Sequence, residues 1–320
     1  MTAEAELRHK GDTLDFTPES GVTAGDVLQL KDGRAGYALE DITSGVLGVL
    51  GVSGVVRIPK TTGIQILDGG DVFWDYSANK AHFMPVNDRD FFIGTAVGDW
   101  ASASTLAEVA LNNYGRYLID MARDGFRTTI IGTQALSTMG LWRRGGCHNM
   151  ILSSTSEAQK VDALSVAGFV GTANGIVEMI FAVPNDGAGT VVDVNVGIAA
   201  GTHATDADSI AQYLFMHLDA NVTNINFQSK DGTTTVASTD STTDYTEGSA
   251  VANLVYVWFD MRNPADVQIY VNGVLVLGST VFDVSAMAST WFLLAHIEKT
   301  SAADVYEFDL HRLRVRIAEI

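Results

Sequence analysis

Short apolar runs separated by turn residues fill the first third of the chain. Gly11-Asp12, Glu19-Ser20-Gly21, Gly25-Asp26, Lys31-Asp32-Gly33, Leu67-Asp-Gly-Gly-Asp71 and Val86-Asn-Asp88 punctuate it. Residues 26–30, 46–58 and 72–74 between them read as strands of a small barrel or roll, with no β-α-β spacing. Within Gly45-Val-Leu-Gly-Val-Leu-Gly-Val-Ser-Gly54 glycine returns every third residue. The run is too short and proline-free for collagen, so it reads as a strand or bulge that another backbone approaches closely. Residues 105–111 close this block. Leu118, Met121 and Ala122 then fall at helical offsets before Gly125, which predicts a short connecting helix with Gly125 as its C′ residue.

From Phe126 the strands lengthen and the loops become rich in Thr, Ser and Asp. Residues 175–183, 190–198, 224–228, 254–261, 291–297 and 306–317 read as strands of a two-sheet antiparallel sandwich. Residues 212–218 are too uniformly bulky for periodicity to choose, and are assigned to strand. Asn272-Gly273, flanked by the apolar run of residues 267–277, predicts a tight hairpin because both turn positions accept positive φ. Residues 231–248 contain almost no apolar side chain and read as a solvated loop.

The chain has 320 residues, enough for one large all-β domain or two ordinary ones, and its formal charge is 20 − 38 = −18. That balance opposes a grip on nucleic-acid phosphates. With 47% hydrophobic and 18% charged residues the chain can bury a core. The lone cysteine, Cys147, excludes an internal disulfide and a multi-thiolate zinc site. No apolar run is long enough for a membrane helix, and the first ten residues lack a basic head followed by an apolar core, so a cytosol-like site of synthesis is expected.

Motifs for common chemistries are missing. No nucleophile elbow, Walker loop or Rossmann fingerprint occurs. The seven histidines form no His-x-x-x-His pair, which favours structural or surface roles over metal binding. No cofactor is expected; calcium is the one ion the acidic loops admit, through Asp206 and Asp208 or Asp231, Asp240 and Asp244, although no EF-hand pattern is met. Glu307-Phe-Asp309 supplies half of the Glu-x-Asp-x-x-Glu strand motif of sandwich glucanases, but Arg312 stands where the acid/base glutamate belongs, so no enzyme is expected. Arg312, Arg314 and Arg316 alternate with Leu313, Val315 and Ile317. This cationic strand face reads either as a solvated, salt-bridged surface or as a subunit contact, since arginine suits forked carboxylate pairing.

Larger groupings carry a resemblance. Lys10-Gly-Asp-Thr-Leu14, Gly21-Val-Thr-Ala-Gly-Asp-Val27, Gly36-Tyr-Ala-Leu39, Val55-Val-Arg-Ile-Pro-Lys60, Gly69-Gly-Asp-Val-Phe-Trp-Asp75 and Ile93-Gly-Thr-Ala-Val97 follow one another in the order seen in the tailed-phage head decoration, or capsid cement, family, which residues 1–112 resemble. Phe259-Asp-Met-Arg-Asn-Pro-Ala-Asp-Val-Gln-Ile-Tyr-Val-Asn-Gly273, Ala295-His-Ile-Glu-Lys-Thr300 and Tyr306-Glu-Phe-Asp-Leu-His-Arg-Leu-Arg-Val315 make residues 126–320 similar to a concanavalin-A-like lectin or glucanase jelly roll. The expected architecture is therefore all-β: a small N-terminal β-barrel or roll, a helical connector over 113–125, and a jelly-roll sandwich.

These resemblances imply a homotrimeric protein on the outer surface of a phage virion, bridging subunits of the major capsid protein lattice, with glycans as a second partner class and neither nucleic acid nor membrane. Expected capsid or subunit contacts are Leu7, Arg8, Lys10, Arg57, Lys60, Arg312, Arg314 and Arg316. Trp142, Tyr213 and Tyr245 are the expected glycan-stacking aromatics. A carbohydrate-binding adhesion module of a head or tail fibre is the alternative reading.

Overall fold

A computed structural model of the chain describes residues 11–140, 146–170, 175–287, 290–300 and 304–317. It divides into two compact units, Met1–Arg116 and Tyr117–Ile320.

The described residues of the N-terminal unit form nine short strands: β1 (Thr13–Phe16), β2 (Val27–Gln29), β3 (Ala35–Ala38), β4 (Gly48–Gly51), β5 (Val55–Pro59), β6 (Asp71–Asp75), β7 (Lys80–His82), β8 (Phe91–Ala96) and β9 (Leu106–Leu111). They form a four-stranded sheet, β1-β4-β3-β2, and a five-stranded sheet, β5-β9-β8-β6-β7. Among the described residues the end strands β5 and β7 share no ladder, and the chain just after β5 meets β7 at the isolated parallel bridge Lys60↔Ala81. The unit is thus a roll, and the closed-barrel alternative is not realised among the described residues. The glycine run makes room for side chains and turns, not for the close backbone approach expected: a Cβ on Gly51 would meet the Tyr37 ring at 2.5 Å, one on Gly48 would meet the Ile42 side chain at 2.6 Å, and Gly45 and Gly54 have φ of 73° and 94°. Asn112 ties the sheets together, since its Nδ2 donates to the carbonyls of Ala35 and Val52 at 2.8 Å while its Oδ1 accepts from Ala35 N–H.

The C-terminal unit contains β10 (Tyr117–Asp120), a one-turn helix α1 (Met121–Asp124), β11 (Phe126–Ile131), β12 (Ala135–Gly140), β13 (Cys147–Leu152), β14 (Gln159–Ser165), β15 (Gly175–Asn185), β16 (Val192–Ala199), β17 (Tyr213–Asp219), β18 (Asn224–Lys230), β19 (Thr235–Asp244), β20 (Val255–Asp260), β21 (Gln268–Val271), β22 (Val274–Val276), β23 (Phe292–Lys299) and β24 (Tyr306–Ile317). One sheet runs β12-β13-β24-β15-β20-β21-β22, with β10 also on β24; the other runs β11-β14-β23-β16-β17-β18-β19. The two antiparallel sheets make a jelly-roll-like sandwich. Alternation fills its core: Val177, Met179 and Phe181 of β15, Val194, Val196 and Ile198 of β16, Leu214 and Met216 of β17, and Leu293, Ala295 and Ile297 of β23 belong to one buried cluster. Along β24 the inward set changes phase from Tyr306, Phe308 and Leu310 to Leu313 and Val315. The register with β15 slips there, with Phe181 opposite Leu310 and Ile180 opposite Arg312, so His311 is the extra residue of a β-bulge.

The Asn272-Gly273 turn has φ of 48° and 77° and joins β21 to β22 as anticipated. Two local expectations need correction. The segment expected to be a helical connector is a strand over Tyr117–Asp120, and only Met121–Asp124 is helical, because pairing with β24 satisfies the backbone of those residues. Residues 231–248 are not all loop: Thr235–Asp244 forms an exposed edge strand on β18. Its backbone ladder does not depend on an apolar face, which is why the polar composition misled.

Candidate functional site

In the N-terminal unit a cavity of about 500 Å³ lies between the edge strands β2 and β5 and is lined by Gly25–Leu28, Arg57–Pro59, Trp74, Tyr76 and Asn79. Arg57 is exposed here. Beside it Tyr76 is 43% exposed and carries the Arg89 guanidinium 3.8 Å from its ring centre. Arg57 is thus placed for an outside contact. Lys60 is not: only 1% of it is exposed, and its Nζ donates to the carbonyls of Thr61 at 2.8 Å, Ile64 at 2.5 Å and Ala101 at 3.2 Å. Burial lowers its pKa, and its ammonium acts as an internal staple for backbone acceptors rather than a contact. Leu7, Arg8, Lys10 and Trp142 lie outside the described residues.

The arginine face of β24 also needs correction. Arg314 and Arg316 are 5% and 1% exposed. Glu178, opposite Arg314 on β15, takes both: Arg314 Nε donates to Oε2 at 2.6 Å and Arg316 Nε to Oε1 at 2.7 Å. Arg314 also stacks 3.7 Å over the Tyr117 ring. Burial opposes the Glu178 charge, but Arg314, Arg316 and Arg312 outweigh it and hold the carboxyl down at about 2. Neither buried arginine is available as an outward fork; Arg312, half-buried, also interacts within the structure. The expected sugar-stacking tyrosines are enclosed as well. Tyr213 is 5% exposed, stacked on Phe215 at 4.6 Å in a cluster with Ala207 and Ile210, and Tyr245 is 3% exposed. Both serve as packing.

The structure assembles polar groups that the sequence leaves scattered. On the outer face of the seven-stranded sheet, Asp193 and Asn195 of β16 stand opposite Asp219 and His217 of β17. His217 Nδ1 lies 3.1 Å from Asp193 Oδ1, and Nε2 lies 3.4 Å from Asp219 Oδ1. Burial would lower the His217 pKa, but these two carboxylates outweigh it and push it up to about 10, so the ring is an imidazolium between anions. Gln228 Nε2 donates to Asn195 Oδ1 at 2.8 Å and to Asp208 Oδ1 at 2.6 Å, drawing the loop before β17 onto this face. A carboxylate oxygen each of Asp193 and Asp208 and a His217 nitrogen lie within metal-chelating reach of one another. Of the acidic residues weighed for calcium, Asp206 caps the short helix Ala207–Ser209, Asp231 accepts from Thr233 and Thr234 N–H, and Asp240 accepts from Asn224 and Thr242. These bonds hold turns and the edge strand, and Asp231 uses only Oδ1 in them.

The half-motif on β24 is held by a cross-strand amide: Asn149 Nδ2 donates to Glu307 Oε1 at 2.7 Å and to Asp309 Oδ1 at 2.6 Å. Cys147 and His311 complete a second polar group beside Asp309. Burial pushes the Cys147 thiol up to about 11, with Asp309 adding to the effect, and burial pushes His311 down to about 4. No sequence motif announces either cluster; both depend on register between strands far apart in the chain. Among the described residues no helix is long and apolar enough to cross a membrane.

Residues 8–111 match the model of the phage cement protein family. The resemblance read from Lys10 to Val97 holds over this segment, about a third of the chain (104 of 320 residues). No curated protein matches the chain. Among solved structures, the Emp47p carbohydrate recognition domain is similar at a TM-score of 0.42 and 13% identity, covering 61% of this chain and 89% of that one. The catalytic domain of an endo-1,3-β-glucanase (laminarinase) from Thermotoga petrophila gives 0.41 and 10%, covering 64% and 99%. A carbohydrate esterase from the Shiga toxin-encoding bacteriophage phi24B gives 0.37 and 13%, covering 60% and 90%. None of these three is close enough to carry a ligand or an activity to this chain.

Proposed function

We propose that the protein decorates and stabilises the outside of a tailed-phage head. The N-terminal unit grips the major capsid protein lattice as a homotrimer, and the C-terminal sandwich is displayed to the outside. The match of residues 8–111 to the phage cement protein family carries this reading. The work is mechanical: a ligand selective for the assembled lattice stabilises it by mass action, and repetition over many sites makes weak contacts strong. An acidic coat, from a chain of formal charge −18, also keeps crowded particles apart.

Purified protein added to undecorated heads should cosediment with them and raise their thermal stability. Localisation to tail tips, or no binding to heads, overturns the reading. Arg57, exposed beside the groove, supplies the residue test: Arg57→Glu should weaken head binding at least several-fold while leaving the melting temperature of the free protein unchanged. A second reading, glycan adhesion, is supported by the carboxylates of Asp193 and Asp219 at the solvent rim of the seven-stranded sheet, 25% and 50% exposed, which offer hydrogen-bond acceptors of the kind that hold sugar hydroxyls. A glycan array without hits removes it.

A further inference from the structure

Where β13 begins, residues remote in sequence converge. β13 begins at Cys147 and pairs with β24 through His148↔Leu310 and Asn149↔Asp309. This register sets Cys147 beside Asp309, and the bulge at His311 adds a ring to the same place. The Cys147 sulfur, an Asp309 carboxylate oxygen and a His311 ring nitrogen all lie within 4.8 Å of one another. Bond lengths of about 2.3 Å to sulfur and about 2.0–2.2 Å to nitrogen or oxygen put neighbouring ligands of tetrahedral zinc roughly 3.5 Å apart, so a contraction of at most about 1.3 Å completes the geometry.

The donor types narrow the choice of ion. Calcium and magnesium take oxygen ligands, whereas thiolate, imidazole and carboxylate together suit zinc. Three protein ligands leave a fourth position, and a cavity of about 50 Å³ adjoins them, lined by Cys147, His311, Met121, Phe126, Gly146 and His148. A single water needs roughly 10–15 Å³ of such space, so one fits. His148 provides an independent sign of a missing partner. It is 5% exposed, its Nε2 is engaged by Ser137 Oγ at 2.7 Å, and its buried Nδ1 has no hydrogen-bond partner. Asn149, through its hydrogen bond to Asp309 Oδ1, fixes that carboxylate as an outer-shell residue does.

We propose that Cys147, Asp309 and His311 bind a zinc ion, with a water in the adjoining cavity as fourth ligand, hydrogen-bonded to His148 Nδ1. Binding forms the zinc–sulfur bond and releases the thiol proton to solvent. The ion cross-links β13 to β24 and so stabilises the folded C-terminal unit. The Asp193, Asp208 and His217 group is the weaker candidate, because Asp193 and Asp219 already engage both ring nitrogens of His217.

The test is titration of full-length, chelator-stripped protein with Co²⁺, which reports thiolate ligation by a sulfur-to-cobalt charge-transfer band. One equivalent should develop that band with tetrahedral visible absorption, and Zn²⁺ should displace it. Cys147→Ser should abolish the band, and Asn149→Ala should weaken binding about 10–100-fold. His311→Gln, which retains the thiol, should also lose tight binding and stands in if Cys147→Ser does not fold. The absence of a thiolate band in folded protein overturns the proposal. So does metal binding that is unchanged in Cys147→Ser and His311→Gln, since that marks adventitious uptake by the acidic surface.

Discussion

The outer faces of the two sandwich sheets carry ionic clusters of opposite composition. On the eight-stranded sheet one carboxylate, Glu178, sits between two arginines; on the seven-stranded sheet one imidazolium, His217, sits between two aspartates. Each cluster joins neighbouring strands, β15 with β24 in one and β16 with β17 in the other. The difference is depth. Glu178 and Arg316 are 4% and 1% exposed, whereas the Asp219 side chain at the rim of the histidine cluster is 50% exposed. In the first cluster loss of the anion strands buried cations, while in the second water can solvate what remains. Similar chemistry therefore has unequal structural weight.

The largest effect should come from Glu178→Gln. It leaves Arg314 and Arg316 without their counter-charge and should destabilise the C-terminal unit by about 3–5 kcal/mol in denaturant unfolding. A loss under about 1 kcal/mol would remove the distinction between the two clusters. Next comes Lys60→Met, the comparable test in the N-terminal unit. Stripping a donor from buried carbonyls there should cost about 1–3 kcal/mol, and unchanged stability would return Lys60 to the list of outside contacts.

The clusters should also respond to pH in opposite directions. Glu178 has a folded pKa of about 2 against an ordinary 4.5, so its contribution is complete above 4.5 and is lost as pH falls toward 2. His217 has a folded pKa of about 10 against an ordinary 6.5, so its contribution is complete below 6.5 and is lost as pH rises through 10. Denaturation midpoints of the wild type and His217→Gln should differ at pH 6 and converge by about pH 10. A gap that widens with pH would reverse the assigned sign. The smallest effect is expected for Tyr117→Leu, which removes the ring under Arg314 and should cost about 1 kcal/mol in the same unfolding measurement. Loss of the Glu178 interaction in that variant would instead show that the ring positions the ion pair.

Much of the fold was legible because its signals are local. Alternation in residues 175–183 and 190–198 and the Asn272-Gly273 turn each express a backbone preference within a few residues. The ordered pieces from Lys10 to Val97 likewise sufficed for the cement resemblance. Failures arose where composition substituted for pairing. The polar edge strand Thr235–Asp244 is held by its ladder with β18, and Tyr117–Asp120 by its ladder with β24.

The sequence by itself determined an all-β chain with a cement-like first part and a sandwich second part, and it told which side of its strand Arg314 occupies. Only tertiary structure decided whether that side met water. Alternation assigns a residue to a face but says nothing of what stands on the neighbouring strand, and the partners of the clusters lie far away in the chain: Glu178 is 136 residues from Arg314, and Asn149 is 160 from Asp309. Those separations are bridged by strand order and register, which the packing of two whole sheets selects. A charge that reads as surface in one dimension thus becomes an internal link, and a lone cysteine comes to lie beside a carboxylate and an imidazole.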